Sequence, residues 1–165
     1  MGVTVDQVKE LREKTGVGLM DCKKALEGAD GDFDAAIKAL RERGFAIAQK
    51  KSSRALGSGL VEAYMHAGGR IGAMIEVNCE TDFVARTDDF KELAHDLAMQ
   101  VAATDPAHLT AEEASADENP QEVCLLSQPF IKEPQKTVQD KIVEVVAKVG
   151  ENIGVTRFSR FEIGV

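Results

Sequence analysis

A chain of 165 residues with 29% charged and 44% apolar residues has the composition of a globular protein, as one medium domain or two small ones. Its net charge of −8 argues against direct nucleic-acid binding, and it lacks any apolar run of about 18 residues that would span a membrane. The N-terminus resembles neither a signal peptide nor a transit peptide. The three cysteines are far apart and lack metal-site spacing, so we expect a cytoplasmic protein without metal, cofactor or disulfide.

The charge is distributed unevenly along the chain. Residues 1–56 hold 11 Lys+Arg and 9 Asp+Glu, whereas residues 57–165 hold 9 and 19. This asymmetry predicts two structural units with different surfaces. We expect an N-terminal helical module with a basic linker over residues 1–56, and an α+β domain over residues 57–165.

Three short amphipathic helices are predicted at the N-terminus. Thr4 begins a capping-box pattern, and apolar residues then recur at helical spacing until a stop near Gly16. A second stripe ends at the break over residues 28–31, and a third is expected to stop at Gly44. Because helices this short cannot each bury a face alone, we expect them to pack as a small bundle. The basic run over residues 50–54 is interpreted as the solvated end of a helix and a linker.

Two large apolar residues, Leu19 and Met20, are adjacent at the start of the second helix. Their side chains point about 100° apart, so both cannot face the centre of the bundle equally. One interpretation is a wide core stripe. The other is an apolar patch for a protein partner, with Leu11 and Arg12 close by.

A β-hairpin is predicted from alternating apolar residues over 61–67 and 71–79, joined by a turn at Gly68 and Gly69. A long helix capped by Thr87 follows and ends before residue 105. The acidic stretch over residues 104–122 is interpreted as an exposed loop with at most one helical turn.

The C-terminal part predicts two more strands and a helix. Residues 123–126 are a candidate third strand, which Pro129 would place at a sheet edge. Thr137 caps the last helix and Gly150 ends it. The alternation in the final strand predicts one face with Ile153, Val155, Phe161 and Ile163, and Phe158 on the other face. The resulting fold class is α+β: a three-helix bundle followed by an antiparallel sheet with helices.

The connection over residues 79–87, CETDFVART, has an unusual composition. Connections are normally polar because their backbone is solvated, yet this one carries Phe83 and Val84 beside Asp82. One interpretation is that Phe83 folds back over the hairpin as a core residue, as most phenylalanines do. The other is that a short loop between two rigid elements presents an apolar side chain to a partner.

The sequence offers no convincing catalytic set. His66, His95 and His108 are predicted on a strand, a helix and a loop, and none belongs to a nucleophile motif. The phosphate-binding pattern GxxxxGK[ST] does not occur. Cys79 is best interpreted as a buried thiol at the end of a strand. The alternative is a cysteine enzyme in which His66 or His95 acts as the base.

Four stretches resemble the bacterial translation elongation factor Ts family. The run EVNCETDF, followed by VAR, is similar to the most specific motif of that family. Residues 11–44 are similar to its small three-helix module, which is like a ubiquitin-associated (UBA) domain. The segments LLSQPFIKE and KVGENIGVTRFSRFEIG resemble its closing strands and helix. The four matches follow the order of the family and cover nearly the whole chain.

The resemblance implies an interaction protein rather than an enzyme. Members of the family accelerate GDP release from elongation factor Tu so that GTP can bind. A motif of four residues intrudes near the magnesium site of that partner, and here it comprises Thr81, Asp82, Phe83 and Val84. The N-terminal module contacts the guanine-nucleotide domain of the partner, which implies a role for Leu11, Arg12, Leu19 and Met20.

Two departures from the family pattern affect what is expected. The acidic loop over residues 104–122 is shorter than usual and lacks a helical insert. The single sheet module resembles the short form of the family, which dimerises through its C-terminal strands. Ser159 stands where some short members carry a cysteine that links the subunits, so we expect a non-covalent homodimer. A competing hypothesis is a UBA-like adaptor fused to an unrelated α+β domain, which would bind through Leu19 and Met20 without affecting nucleotide release.

Overall fold

The computed structural model describes residues 2–165 and confirms the α+β class, with helices preceding an antiparallel sheet. The helices are α1 (Val5–Thr15), α2 (Leu19–Gly28), α3 (Phe33–Lys51), α4 (Asp82–Ala85), α5 (Asp88–Thr104), α6 (Pro120–Val123) and α7 (Val138–Val149). The strands are β1 (Ser58–Met65), β2 (Ile71–Cys79), β3 (Pro129–Phe130), β4 (Glu133–Thr137) and β5 (Ile153–Glu162). Across residues 2–165, no helix is both long and apolar enough to cross a membrane.

Local capping signals determine where several helices begin and end. The Thr4 hydroxyl accepts from the Gln7 N–H, while the Gln7 side chain accepts from the Thr4 N–H at 2.9 Å. Thr137 caps α7 in the same reciprocal way. Helices α1 and α7 end at Gly16 and Gly150, both in the left-handed conformation that glycine adopts without strain. These predicted boundaries are confirmed.

The predicted stop at Gly44 is wrong, because α3 continues to Lys51. Gly44 is buried in the middle of the helix, where an added Cβ would lie 3.5 Å from the side chains of both Val143 and Ala147. These are ordinary van der Waals distances, so α3 packs directly on α7 at this point, and it is this packing that carries the helix past Gly44. Such a glycine costs about 1 kcal/mol of helix propensity relative to alanine, and close packing between the helices offsets that cost.

The main hydrophobic core lies between the sheet and α5. The three long strands form one antiparallel sheet in the order β1-β2-β5. Helix α5 buries one continuous face against it: Phe90, Leu93, Ala94, Leu97, Ala98 and Val101. A separate cluster holds the N-terminal bundle together: Val8, Leu11, Cys22, Leu26, Ala36 and Leu40.

The predicted alternation of β5 is wrong because the strand contains an irregularity. Glu76 pairs with Arg157 and Val77 pairs with Val155, so Thr156 is an extra residue in the register. An extra residue of this kind shifts the in–out alternation beyond it. As a result Phe158 packs against the main core, as Ile153 and Val155 do before the irregularity. Phe161, which was expected on the same face as Ile153, is 73% exposed.

The predicted strand over residues 123–126 is also wrong. Helix α6 occupies the start of this stretch, and a 3-10 turn (Leu125–Ser127) follows it, so only Cys124 makes a single bridge, to His108. The acidic loop contains two helical turns rather than at most one, namely a 3-10 turn (Ala111–Glu113) and the start of α6. The second turn forms because Asn119 caps it and Pro120 occupies its first position.

Candidate functional site

The connection between β2 and α5 contains the short helix α4. Its two adjacent apolar residues, Phe83 and Val84, differ sharply in exposure. Val84 is 4% exposed and belongs to the main core, whereas Phe83 is 79% exposed. Neighbouring helical residues point about 100° apart, so burying Val84 directs Phe83 toward solvent. Of the two interpretations of this connection, the structure supports the exposed aromatic and not the one folded over the hairpin.

The carboxylate beside Phe83 is also exposed. Asp82 pairs with Arg86 across one helical turn at 2.8 Å, and their side chains are 70% and 79% exposed. A pair this exposed contributes only about 0–1 kcal/mol to stability. The surface of α4 therefore presents an aromatic ring and a carboxylate whose present partner can be exchanged at little cost.

Thr81 connects α4 to a distant part of the chain. Its hydroxyl accepts from the Val84 N–H at 3.5 Å and so caps the helix. The same hydroxyl donates to Glu151 Oε1 at 2.7 Å, and the Thr81 N–H donates to Glu151 Oε2 at 3.0 Å. Sequence reasoning missed Glu151. The only signal was its place in the KVGENIG segment, which was matched to the family without a role.

A second carboxylate, that of Glu80, joins the segment before α4 to the turn after α7. Here the turn donates the hydrogen bond, whereas in the first case Thr81 does. Glu80 Oε1 accepts from the Asn152 N–H at 2.7 Å, and Glu80 Oε2 lies 3.4 Å from the guanidinium of Arg54. The Asn152 N–H, with the Arg54 guanidinium beside it, holds the pKa of Glu80 below its usual value. The connection before α4 is thus attached both to the turn that follows α7 and to the linker after α3.

The predicted contact residues of the N-terminal module lie on α1 and α2. Leu19 and Met20 are 44% and 61% exposed, so neither is a core residue, and Arg12 is exposed as well. Leu11 is different, because it has no exposed surface and lies in the core of the bundle. Any effect of Leu11 on a partner must therefore act through the packing of the helices.

The outer sheet face, on the side of the sheet opposite α5, carries a second apolar surface. Met65 and Phe161 both pair with Gly72 of the central strand, and Met74 pairs with Ser159. Five large apolar side chains of this region are at least half exposed: Val61, Met65, Met74, Phe161 and Ile163. An exposed apolar surface of this kind is typical of a contact with another protein.

The side chains proposed for a cysteine enzyme have other partners. Cys79 is fully buried and its Sγ donates to the Thr81 carbonyl at 3.1 Å. Burial, with the Glu151 carboxylate as a further cause, raises the pKa of this thiol. His66 bonds to Tyr64 at 3.2 Å and His95 bonds to Glu62 at 3.1 Å. Among residues 2–165, no cluster of His, Cys, Asp and Glu has the geometry to hold a metal ion.

The native protein should therefore react very slowly with a thiol reagent such as dithionitrobenzoate. All three cysteines are buried, and burial also raises the pKa of Cys124, so little thiolate is available at about pH 8. Unfolding in guanidinium chloride should release three thiols per chain, measured by absorbance. Rapid labelling of Cys79 in the native protein would instead support the cysteine-enzyme hypothesis.

Comparison with known proteins relates these features to one family. The family model described as elongation factor TS matches residues 30–120, a range that includes α4 and the exposed Phe83. The chain is 51% identical to elongation factor Ts of Heliobacterium modesticaldum over 98% of its own length and 90% of that protein. It is 48% identical to elongation factor Ts of Herpetosiphon aurantiacus over 99% of both proteins.

The first of these alignments also shows that this chain is shorter within the aligned region. It spans 194 positions, so at least 29 of them (194 less 165) have no residue from this chain. Such gaps agree with an insert missing from this protein. The near-complete coverage at this level of identity shows that the chain belongs to the elongation factor Ts family of translation elongation factors.

Proposed function

We propose that this protein is the guanine-nucleotide exchange factor of elongation factor Tu. It associates with the complex of Tu and GDP, dislodges the bound Mg²⁺ and promotes GDP release, so that GTP can bind. The observation that carries the proposal is the 79% exposure of Phe83 on a short helix that is anchored by the buried Val84. Membership of the family supports the same conclusion.

The mechanism depends on how a GTPase holds its metal. Protein-bound Mg²⁺ usually keeps several waters and is bound by phosphate oxygens and only one or two protein groups. The surrounding residues orient those ligands, so disturbing them weakens the metal without breaking a covalent bond. Phe83 supplies an apolar side chain that displaces such residues, and Asp82 places a negative charge close to it. Once the metal is loosened, the phosphates of GDP lose their main counter-charge.

The anchoring of α4 makes this insertion efficient. Thr81 caps the helix and Val84 fills a site in the core, so the chain around Phe83 is ordered before any partner binds. A contact made by a preordered segment loses less conformational entropy than one made by a mobile loop. In this proposal Thr81 and Val84 support the helix, while Asp82 and Phe83 contact the partner.

The N-terminal module provides a second contact in the proposal. Arg12, Leu19 and Met20 are exposed, and they combine a guanidinium with two large apolar groups. Arginines that contact partners at interfaces often dominate binding, with apolar neighbours excluding water around them. We assign these residues, supported by Leu11 beneath them, to the guanine-nucleotide domain of Tu. Residues 1–56 then form the docking module, and residues 57–165 the part that displaces the metal.

We also assign the outer sheet face to a non-covalent homodimer formed through the C-terminal strands. This face is apolar, and a second copy of the chain offers the same surface, as a two-fold dimer requires. Ser159 pairs with Met74 on this face and has no thiol, so the dimer is held by packing alone.

Release of a fluorescent GDP from elongation factor Tu, followed by stopped flow, tests the exchange function. The rate should rise with the concentration of this protein and fall when Mg²⁺ is in excess. Coupling is reciprocal, so excess GDP with Mg²⁺ should also dissociate the complex in a pull-down. Binding without faster release would instead support the UBA-like adaptor, and failure to bind Tu would contradict the exchange function.

A further inference from the structure

We propose that Glu151 is a positioning residue that determines the direction in which Phe83 is presented. It does so through Thr81 and contacts neither the nucleotide nor the metal. The inference deepens the proposed exchange function and rests on it. Its basis is the pair of hydrogen bonds between the Glu151 carboxylate and Thr81, which are 2.7 Å and 3.0 Å long.

Both oxygens of Glu151 are used at one residue. Oε1 accepts from the Thr81 hydroxyl and Oε2 from the Thr81 N–H, so the backbone and the side chain of the capping residue are held together. Hydrogen bonds to a charged acceptor are shorter and stronger than those between neutral groups. The hydroxyl that donates to Glu151 also accepts from the Val84 N–H, so the carboxylate orients the cap itself.

The residue that bonds to Thr81 lies on a well-anchored turn. Gly150 ends α7 in the left-handed conformation, and its carbonyl accepts from the ammonium group of Lys51. Asn152, which is 8% exposed, donates through its side chain to the carbonyls of Ser52 and Arg54 at 3.4 Å and 3.1 Å. Glu151 lies between these two residues, so its backbone is held in place and its carboxylate can fix the position of Thr81.

Helix α4 needs hydrogen bonds from outside the helix because it has only four residues. A single helical turn is not stable by itself, since nucleation fixes several backbone angles for one hydrogen bond. The buried Val84 and Ala85 hold the second half of the turn against the core, but they do not fix its first half, where Phe83 is presented. The two hydrogen bonds from Glu151 to the N-cap residue, Thr81, supply that constraint. Without them, Phe83 samples several directions, only some of which fit a partner.

A double-mutant cycle between Glu151 and Phe83 tests the inference. Glu151→Ala is expected to slow stimulated GDP release about tenfold, less than the full loss of two hydrogen bonds to a charged group, because these bonds are exposed and water can replace them. Glu151→Gln keeps one acceptor oxygen and should retain an intermediate rate. In a Phe83→Ala background, Glu151→Ala should cause no further slowing, because coupled residues are non-additive. Glu92→Ala removes an exposed carboxylate from α5 and serves as the matched control, with an unchanged rate.

Fluorescence provides a readout that does not depend on the partner. The chain contains no tryptophan, so Phe83→Trp introduces a single probe on α4. Time-resolved anisotropy should show a larger fast component after Glu151→Ala or Glu151→Gln, and none after Glu92→Ala. Circular dichroism identifies any variant that fails to fold, in which case the cycle is run with Glu151→Gln alone.

Two results would overturn the inference. One is unchanged anisotropy together with an unchanged release rate in the Glu151 variants. The other is an equal loss of rate with and without Phe83, which would mean that Glu151 acts elsewhere. Failure of the wild-type protein to accelerate GDP release would instead contradict the exchange function. The anisotropy measurement would still decide whether Glu151 orders α4.

Discussion

Phe83→Ala is expected to reduce the stimulated rate of GDP release by roughly thirtyfold or more, the loss typical of an aromatic anchor in an interface. The physical reason is that alanine cannot reach or displace the residues around the magnesium of the partner. Stability should change by less than about 0.5 kcal/mol, because the ring is 79% exposed and packs little in the free protein. Stopped-flow release and a thermal melt by circular dichroism measure the two quantities.

Phe45→Ala is the matched control for this prediction. Phe45 is a second exposed phenylalanine, 40% exposed, and it lies on α3. Its replacement removes an aromatic side chain of the same size from α3, whereas the contacts that the proposal assigns to the docking module lie on α1 and α2. A full rate for Phe83→Ala, or the same loss for Phe45→Ala, would remove the basis for assigning the exchange function to α4.

Phe161→Asp is expected to convert the proposed homodimer into a monomer. Phe161 is 73% exposed and pairs with Gly72 on the outer sheet face, so in the dimer its ring would be covered by the second copy. A carboxylate at that position would be desolvated without a partner, and by symmetry the interface would contain it twice. We expect self-association to weaken by about a hundredfold or more. Light scattering coupled to gel filtration reports the mass directly.

Val5→Asp provides the comparison for the dimer. Val5 is 68% exposed in the first turn of α1, where an acidic residue is compatible with the helix. The mass of this variant should equal that of the wild type. A monomeric wild-type protein at micromolar concentration, or a Phe161→Asp variant that stays dimeric, would show that the C-terminal strands do not form the interface.

The candidate site was located from the sequence, but its geometry was not. An apolar pair in a connection that should be polar marks residues 79–87 as unusual. The same pattern is compatible with a buried or an exposed Phe83. A connection has no helical or strand periodicity that would indicate which side chains face the core. The choice is made by tertiary packing: Val84 takes the available site in the core, and the turn of α4 then directs Phe83 outward.

Contacts between distant segments were the least accessible to sequence reasoning. Glu151 bonds to a residue 70 positions away, and no local feature of a glutamate after a helix-ending glycine reveals that partner. The same limitation explains the wrong prediction of a helix end at Gly44. As a local signal this glycine indicates a helix stop, whereas α3 continues through it and packs on α7, which lies about a hundred residues later in the chain.

The sequence by itself determined the elements whose signals are local. A threonine cap, a glycine in the left-handed conformation and a stripe of apolar residues each act within one or two turns, so α1, α5 and α7 were predicted correctly. Tertiary structure alone decided which side chains stay exposed, where β5 changes face and which carboxylate holds α4. These outcomes depend on the neighbours that the folded chain brings together, because burial and strand register are properties of pairs of segments.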